Sequence, residues 1–230
     1  MRQFQARRQG CDYIGSVRSW QFPRFGAGVQ CFLASCAVLV AAAAYGAPLG
    51  IGQTIHPTPA EVDPTGGIAI AGPTTQHYIT PNFSGDLVST VIAGDPSNPF
   101  GGLTFEYRVS NDAASINVNA RLSVNGYTGF LTDGSFQIPA SGVIPAYVDR
   151  PVADVVGFSF LGQPVGFGPI QPGQTSALLV VQTNATTYSN SFASVIDGTI
   201  ATIPTYAPAP EPAAFVLLGL GGLALIRRRR

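Results

Sequence analysis

The chain has 230 residues, room for one domain once its two unusual ends are set aside. Charged residues make up only 10% and are segregated: there is no lysine, and of the 12 arginines only Arg108, Arg121 and Arg150 lie between Ala47 and Pro210, against ten carboxylates, a net of −7. An acidic stretch without clustered Lys or Arg excludes nucleic acid as a partner. With Cys11, Cys31 and Cys36 all before Ala47, it also excludes a disulfide framework or a cysteine metal site there.

In chain order, residues 1–46 read as a signal peptide region. Arg2, Arg7, Arg8, Arg18 and Arg24 precede an apolar run, CFLASCAVLVAAAA over 31–44, which is signal-helix length and short for a stable span. Small residues follow, and the signal cleavage site is placed at Gly46 and Ala47. Cleavage after Ala44 satisfies the same rule. Arg7-Arg8 permits a twin-arginine reading. Leu33-Ala34-Ser35-Cys36 has the look of a lipobox, yet the apolar run continues past Cys36, whereas a lipobox closes such a run.

Residues 47–203 predict an all-β, single-domain antiparallel β-sandwich. Residues 103–110 (LTFEYRVS) and 116–124 (INVNARLSV) alternate apolar and polar without a break, as half-buried strands do. Their proximity predicts a hairpin with Glu106 opposite Arg121 and a loop over 112–115. Further strands are expected at 87–93, at 152–161 with Val156, Phe158 and Phe160 inward, and at 176–183 (SALLVVQT), whose near-continuous apolar run reads as a central strand. Residues 191–203 are extended. Turn clusters fall at Gly94-Asp95-Pro96, Asn111-Asp112, Asn125-Gly126, Asp133-Gly134 and Pro172-Gly173. Recurrent proline argues against long helices. Residues 204–209 read as a Pro-rich tether.

Residues 210–230 are more specific. Pro210-Glu211-Pro212 precedes an apolar helix over 213–226 (AAFVLLGLGGLALI) and then Arg227, Arg228, Arg229 and Arg230. Fourteen helical residues reach about 21 Å, short of a hydrocarbon core of about 30 Å. Snorkelling arginines allow a temporary hold in the inner membrane, with the arginines on the cytoplasmic side. These three parts in this order resemble the PEP-CTERM sorting signal. The resemblance implies export, cleavage near Pro210 by an exosortase after signal peptidase has removed the leader, and delivery to the cell surface or extracellular matrix. Residues 172–198 also resemble the segment often found just upstream of such signals. The bland alternative is a plain C-terminal anchor that is never cut.

No residue constellation names a chemistry. His56 and His77 are the only histidines, and no Gly-x-Ser-x-Gly, HExxH or EF-hand pattern occurs. Asp149 and Asp154, or Glu106, form an imaginable glycosidase pair, though exposed carboxylates on an acidic surface explain them more simply. Asp95, Asp112 and Asp133 lie where turns are expected, which would also suit calcium, but their spacing is not diagnostic. Tyr127 and Phe130, beside glycines, offer a surface for sugar rings, against a plain packing role. The leading expectation is a non-enzymatic surface or matrix protein without a cofactor, structural or associated with exopolysaccharide. The alternatives are a carbohydrate-binding module, a secreted hydrolase with an unfamiliar site, or an ice-binding protein, the last without any regular Thr-x-Thr repeat.

Overall fold

The computed structural model describes residues 48–57, 67–138, 141–162 and 168–209, and the backbone of 61–62. The expected signal helix and the apolar helix over 213–226 lie outside them. Among the described residues there is no helix, and the strands are β1 (Thr54–Ile55), β2 (Glu61–Val62), β3 (Ile68–Ile79), β4 (Ser84–Ala93), β5 (Thr104–Val109), β6 (Arg121–Asn125), β7 (Thr132–Ile138), β8 (Tyr147–Asp149), β9 (Val155–Ser159), β10 (Leu179–Thr183), β11 (Tyr188–Asp197) and β12 (Thr199–Pro208). They form two sheets, ordered β1-β8-β9-β6-β11-β12 and β2-β7-β10-β5-β4-β3. Pairing between these strands is antiparallel, apart from the short parallel contact of β2 with β7. The protein is a β-sandwich.

Alternation dictates the core. Phe105, Tyr107 and Val109 of β5 and Leu179 and Val181 of β10 face Leu122 and Val124 of β6 and Val156 and Phe158 of β9, all fully buried. Side chains with period-two spacing land on one face of a strand, and two such faces make a sandwich interior. As its apolar run predicts, β10 is central, between β7 and β5. Val156, Phe158 and Phe160 point inward as expected.

The expected hairpin does not form. β5 pairs with β4 and β10, whereas β6 pairs with β9 and β11 in the other sheet. Glu106 therefore stands opposite Thr90 and Val180, and Arg121 opposite Ser159 and Ile196. Two half-buried strands can meet side by side or face to face, and alternation is identical in both cases. The connection decides it. Asn111 donates its side-chain amide to the carbonyls of Asn117 and Ile170, and Asn119 donates to the Tyr78 hydroxyl and the Ser110 carbonyl. These buried asparagines hold the chain in an arch between the sheets, and Ile116, expected inward, is 79% exposed on it.

Two glycine positions explain two further departures. Asp133-Gly134, expected as a turn, lies inside β7. A Cβ on Gly134 would stand 2.5 Å from a methyl of Val148 in the opposite sheet, so this glycine serves close approach of the sheets and not a turn. Residues 191–203, expected as one extended run, fold back at Gly198, whose φ of +67° suits glycine, and β11 and β12 pair from Asp197 and Thr199 outward.

The expected tether is also absent. Residues 204–208 belong to β12, with Thr205 and Ala207 buried and Pro204 opposite Phe192. Proline is admissible because β12 is an edge strand, where missing N–H groups cost no ladder bond. Tyr206 ties this strand to the other sheet: its carbonyl accepts the Tyr107 hydroxyl at 2.7 Å, and its phenol meets the Thr74 hydroxyl at 2.9 Å. A chain ended after Ile203 is expected to lose about 3 kcal/mol or more, from Tyr206's buried area and the Tyr107 hydrogen bond. That amounts to roughly 6–12 °C in melting temperature. A chain ended after Ala209 should melt like the full chain. Equal melting of the two would restore the tether.

Candidate functional site

Isolated carboxylates are occupied structurally. β6 and β8 flank β9 at Gly157, whose bare Cα leaves room for the Arg121 guanidinium. That group spans to Asp149 with two bonds of 2.7 and 2.5 Å and also donates to Ser123. Asp154 accepts the Gly126 N–H and the Thr128 hydroxyl, fixing the turn after β6. Glu106 lies on the other sheet from Asp149. Glu106 is thus not brought to Asp149, and Asp149 and Asp154 bond different partners. His77 meets Asp86 across β3 and β4 at 3.0 Å in an exposed position, and His56 bonds the Ala146 carbonyl and packs on Tyr147.

Of the aspartates considered for calcium, Asp95 accepts from Ser97, Thr104 and Gln182, Asp112 accepts from Ser84, and Asp133 sits within β7. Among the described residues no group of three or more His, Cys, Asp or Glu could hold a metal ion. Thr104, Gln182 and Asp133 make a cross-strand row over β5, β10 and β7. All three are buried, and the loop carrying Asp95 and Ser97 bonds into the row. Burial pushes the Asp133 carboxyl up from its ordinary value, partly offset by the Gly134 N–H.

Tyr127, weighed as a sugar platform with Phe130, is instead fully buried. Its hydroxyl meets that of Tyr107 at 2.9 Å. Because Tyr107 gives its own proton to the Tyr206 carbonyl, Tyr127 is the donor. Arg150 holds the segment around it, donating to the carbonyls of Tyr127, Phe130 and Ala153 and to the Thr132 hydroxyl. The tyrosine's sequence context, beside glycines, resembles a loop tip, but the Arg150 contacts draw that loop inward.

Two open grooves are lined by described residues. The larger, about 1030 Å³, is lined by Arg108, Ser141, Val143, Gln171, Gln174 and Thr175 among others. Arg108 reaches Ser141 at 3.4 Å, and its Nε is buried without a hydrogen-bond partner. The smaller, about 390 Å³, lies where β3 and β12, one edge strand from each sheet, come together. Its lining is Thr74, Gln76, Ser89, Asn190, Ser191, Phe192, Pro204, Thr205 and Tyr206, with no ionisable group besides the phenol. Sequence reasoning missed it, because its residues come from four strands with no shared motif.

The body's last described hydrogen bonds lie at Ala209, which exchanges bonds with Thr187: its N–H donates to the Thr187 carbonyl at 3.0 Å and its carbonyl accepts the Thr187 hydroxyl at 2.8 Å. Comparison with known families finds a match there: the PEP-CTERM protein-sorting motif, over residues 208–230. The chain carries a PEP-CTERM sorting motif. The motif covers Pro210, Glu211, Pro212 and Arg227, Arg228, Arg229 and Arg230, which lie outside the described residues, as do Gly46 and Ala47. It marks an exosortase substrate, exported and processed at the envelope. No curated protein and no solved structure matches the chain. The PEP-CTERM motif therefore speaks for the destination of the protein, and the body must be read from its own geometry.

The buried row yields a test of its electrostatics. A carboxyl whose folded pKa is raised binds its proton more tightly in the folded state, so its ionisation opposes folding above that pKa. Asp133→Asn removes the charge and can still accept from Gly134. It is expected to raise the melting temperature at pH 7, with the gain vanishing as pH falls below the ordinary value of 3.8, where both states are protonated. A lower melting temperature at pH 7 would show the ionised carboxylate to be stabilising.

Proposed function

We propose that the sandwich is a non-enzymatic passenger, exported, released by exosortase, and displayed at the cell surface or in the extracellular matrix as a structural or exopolysaccharide-associated component. The observation that carries this reading is the sorting motif at 208–230 joined directly to β12. Signal peptidase removes the leader near Gly46 and Ala47. The apolar stretch 213–226, with its arginines inside, then holds the chain in the inner membrane until cleavage near Pro210 frees it. Such a cut falls beyond Ala209 and leaves the described hydrogen bonding intact. The absence of catalysis is supported by the occupation of Asp149 and Asp154 in structural bonds and by the exposed, paired state of His77. A surface role in which display is the function asks only for a stable, soluble body, and the −7 balance of residues 47–209 favours solubility.

Intact-mass measurement on protein recovered from its native host tests the processing. The mature species is expected to begin near Ala47 and to lack Arg227 to Arg230. Replacing Pro210, Glu211 and Pro212 with alanine should leave the protein with the membrane fraction at its uncut mass. Retention of Arg230 in the wild-type mature protein would refute cleavage.

A further inference from the structure

We propose that the groove between β3 and β12 is a binding site for a neutral saccharide chain. The first observation is a broken packing rule. Thr74 and Gln76 of β3 share the inward phase with buried Tyr78, and Ser89 shares it with Leu87 and Val91 of β4. Ser191 and Thr205 share it with Ala193 and Ile203 of β11 and β12. Five inward positions at one edge of a sandwich are thus hydroxyls and an amide where packing favours aliphatic side chains. Departures of this kind from an otherwise consistent pattern mark functional sites.

The second observation is an unmet hydrogen bond. Thr205 is 5% exposed, and its Oγ1 has no partner among the described residues. Burying a hydroxyl without a partner costs about 1–3 kcal/mol. Valine has nearly the same shape and is favoured in strands, so the hydroxyl is costly to the free protein and useful to a ligand that bonds it.

The third observation is the chemistry of the walls. Phe192 is 59% exposed, and Pro204 stands opposite it in the β11–β12 register, with Tyr206 diagonal to it. A pyranose has an apolar C–H face that packs on an aromatic ring and a rim of hydroxyls that both donate and accept. Asn190, Gln76, Thr74 and Ser191 supply both roles. The groove has no Asp, Glu, Arg or His, and the body around it is net negative, so an acidic chain gains no counter-charge there and is repelled at long range. A volume of about 390 Å³, open to solvent, suits a few sugar units of a longer chain.

This inference supplies a ligand for the proposed matrix role, and its test is independent of sorting. Retention of Arg230 in native protein would refute processing and leave the groove untouched, while failed glycan binding would leave processing untouched. The full chain, held in a sugar-free zwitterionic detergent, is applied to an array of neutral glucan, mannan and galactan oligosaccharides beside uronate-containing ones, and retained neutral ligands are titrated by calorimetry. Neutral oligosaccharides are expected to bind. Phe192→Ala should weaken binding at least tenfold with no change in melting temperature, since the ring is largely exposed. Thr205→Val should weaken binding several-fold while the melting temperature stays or rises, a combination a purely structural hydroxyl cannot give. Arg108→Gln, in the other groove, should bind as the wild type does. The site is refuted if no neutral glycan is retained, or if both groove variants bind normally. Retention of uronates alone, lost in Arg108→Gln, would overturn it in favour of the larger groove.

Discussion

Tyr107 reaches across the sandwich from β5 to give its hydroxyl proton to the carbonyl of Tyr206, and the last strand is fastened to the opposite sheet at that point. The bond matters because β12 is an edge. Its outer backbone groups have no neighbouring strand, and an unpaired carbonyl turned inward would be a buried polar group without a partner. Tyr127 completes the arrangement by donating to Tyr107, so both phenols are satisfied inside an apolar core, and burial pushes both of them above the ordinary tyrosine range. With no cysteine after Cys36, no disulfide can close this edge, and hydrogen bonds and packing hold it. The second contact of Tyr206, to Thr74, makes the same residue the bridge between edge strands β12 and β3 and one wall of the groove there.

Much of the fold could be read from strands whose alternation is unbroken, because burial of one face leaves a mark on every second residue. Phe105, Tyr107, Leu122 and Val124 carry that mark and are all buried. The partner of each strand left no such mark. Alternation fixes which side chains face the core and is silent on whether the facing strand lies beside or across, so β5 and β6 read as a hairpin and are in fact opposed layers. The deciding residues, Asn111 and Asn119, act through bonds to carbonyls up to 59 residues away in sequence, and no local pattern encodes these. Glycine misled for a related reason. The same residue type makes a turn at Gly198 by its positive φ and permits sheet contact at Gly134 by its missing Cβ, and composition cannot separate the two uses.

Proline produced the third misreading. A Pro-rich run such as 204–209 is a good description of a tether, yet Pro204 and Pro208 alternate with inward Thr205 and Ala207 in a period-two pattern that also suits an edge strand. The sorting motif, by contrast, was fully legible. Its three parts are contiguous and ordered, as suits a signal read by a protease from linear sequence. The groove was illegible for the opposite reason, as it is assembled from 74–76, 89, 190–192 and 204–206. Its one trace in the sequence is negative: Ser, Thr and Gln occupying the inward phase beside Tyr78, Leu87, Ala193 and Ile203.

The join between body and motif constrains both. Three residues separate Tyr206 from Pro210, and two of them, Ala207 and Pro208, are buried in β12. The third, Ala209, still bonds Thr187 in both directions. A protease that needs any residue before Pro210 as extended chain must peel the end of β12 away from Tyr188 and Thr187. Peeling past Pro208 would draw on Tyr206, whose carbonyl and phenol are both committed to the opposite sheet. Pro208 costs the β11 ladder nothing, because Ala209 bonds Thr187 and hydrogen-bonded pairs alternate along the strand, and beyond Tyr206 the described bonds of β12 run to β11 and Thr187 and not to the opposite sheet. The strand is therefore held most firmly at Tyr206 and least firmly next to the motif. This gradient suits a chain that must present a scissile segment without opening the edge of its core.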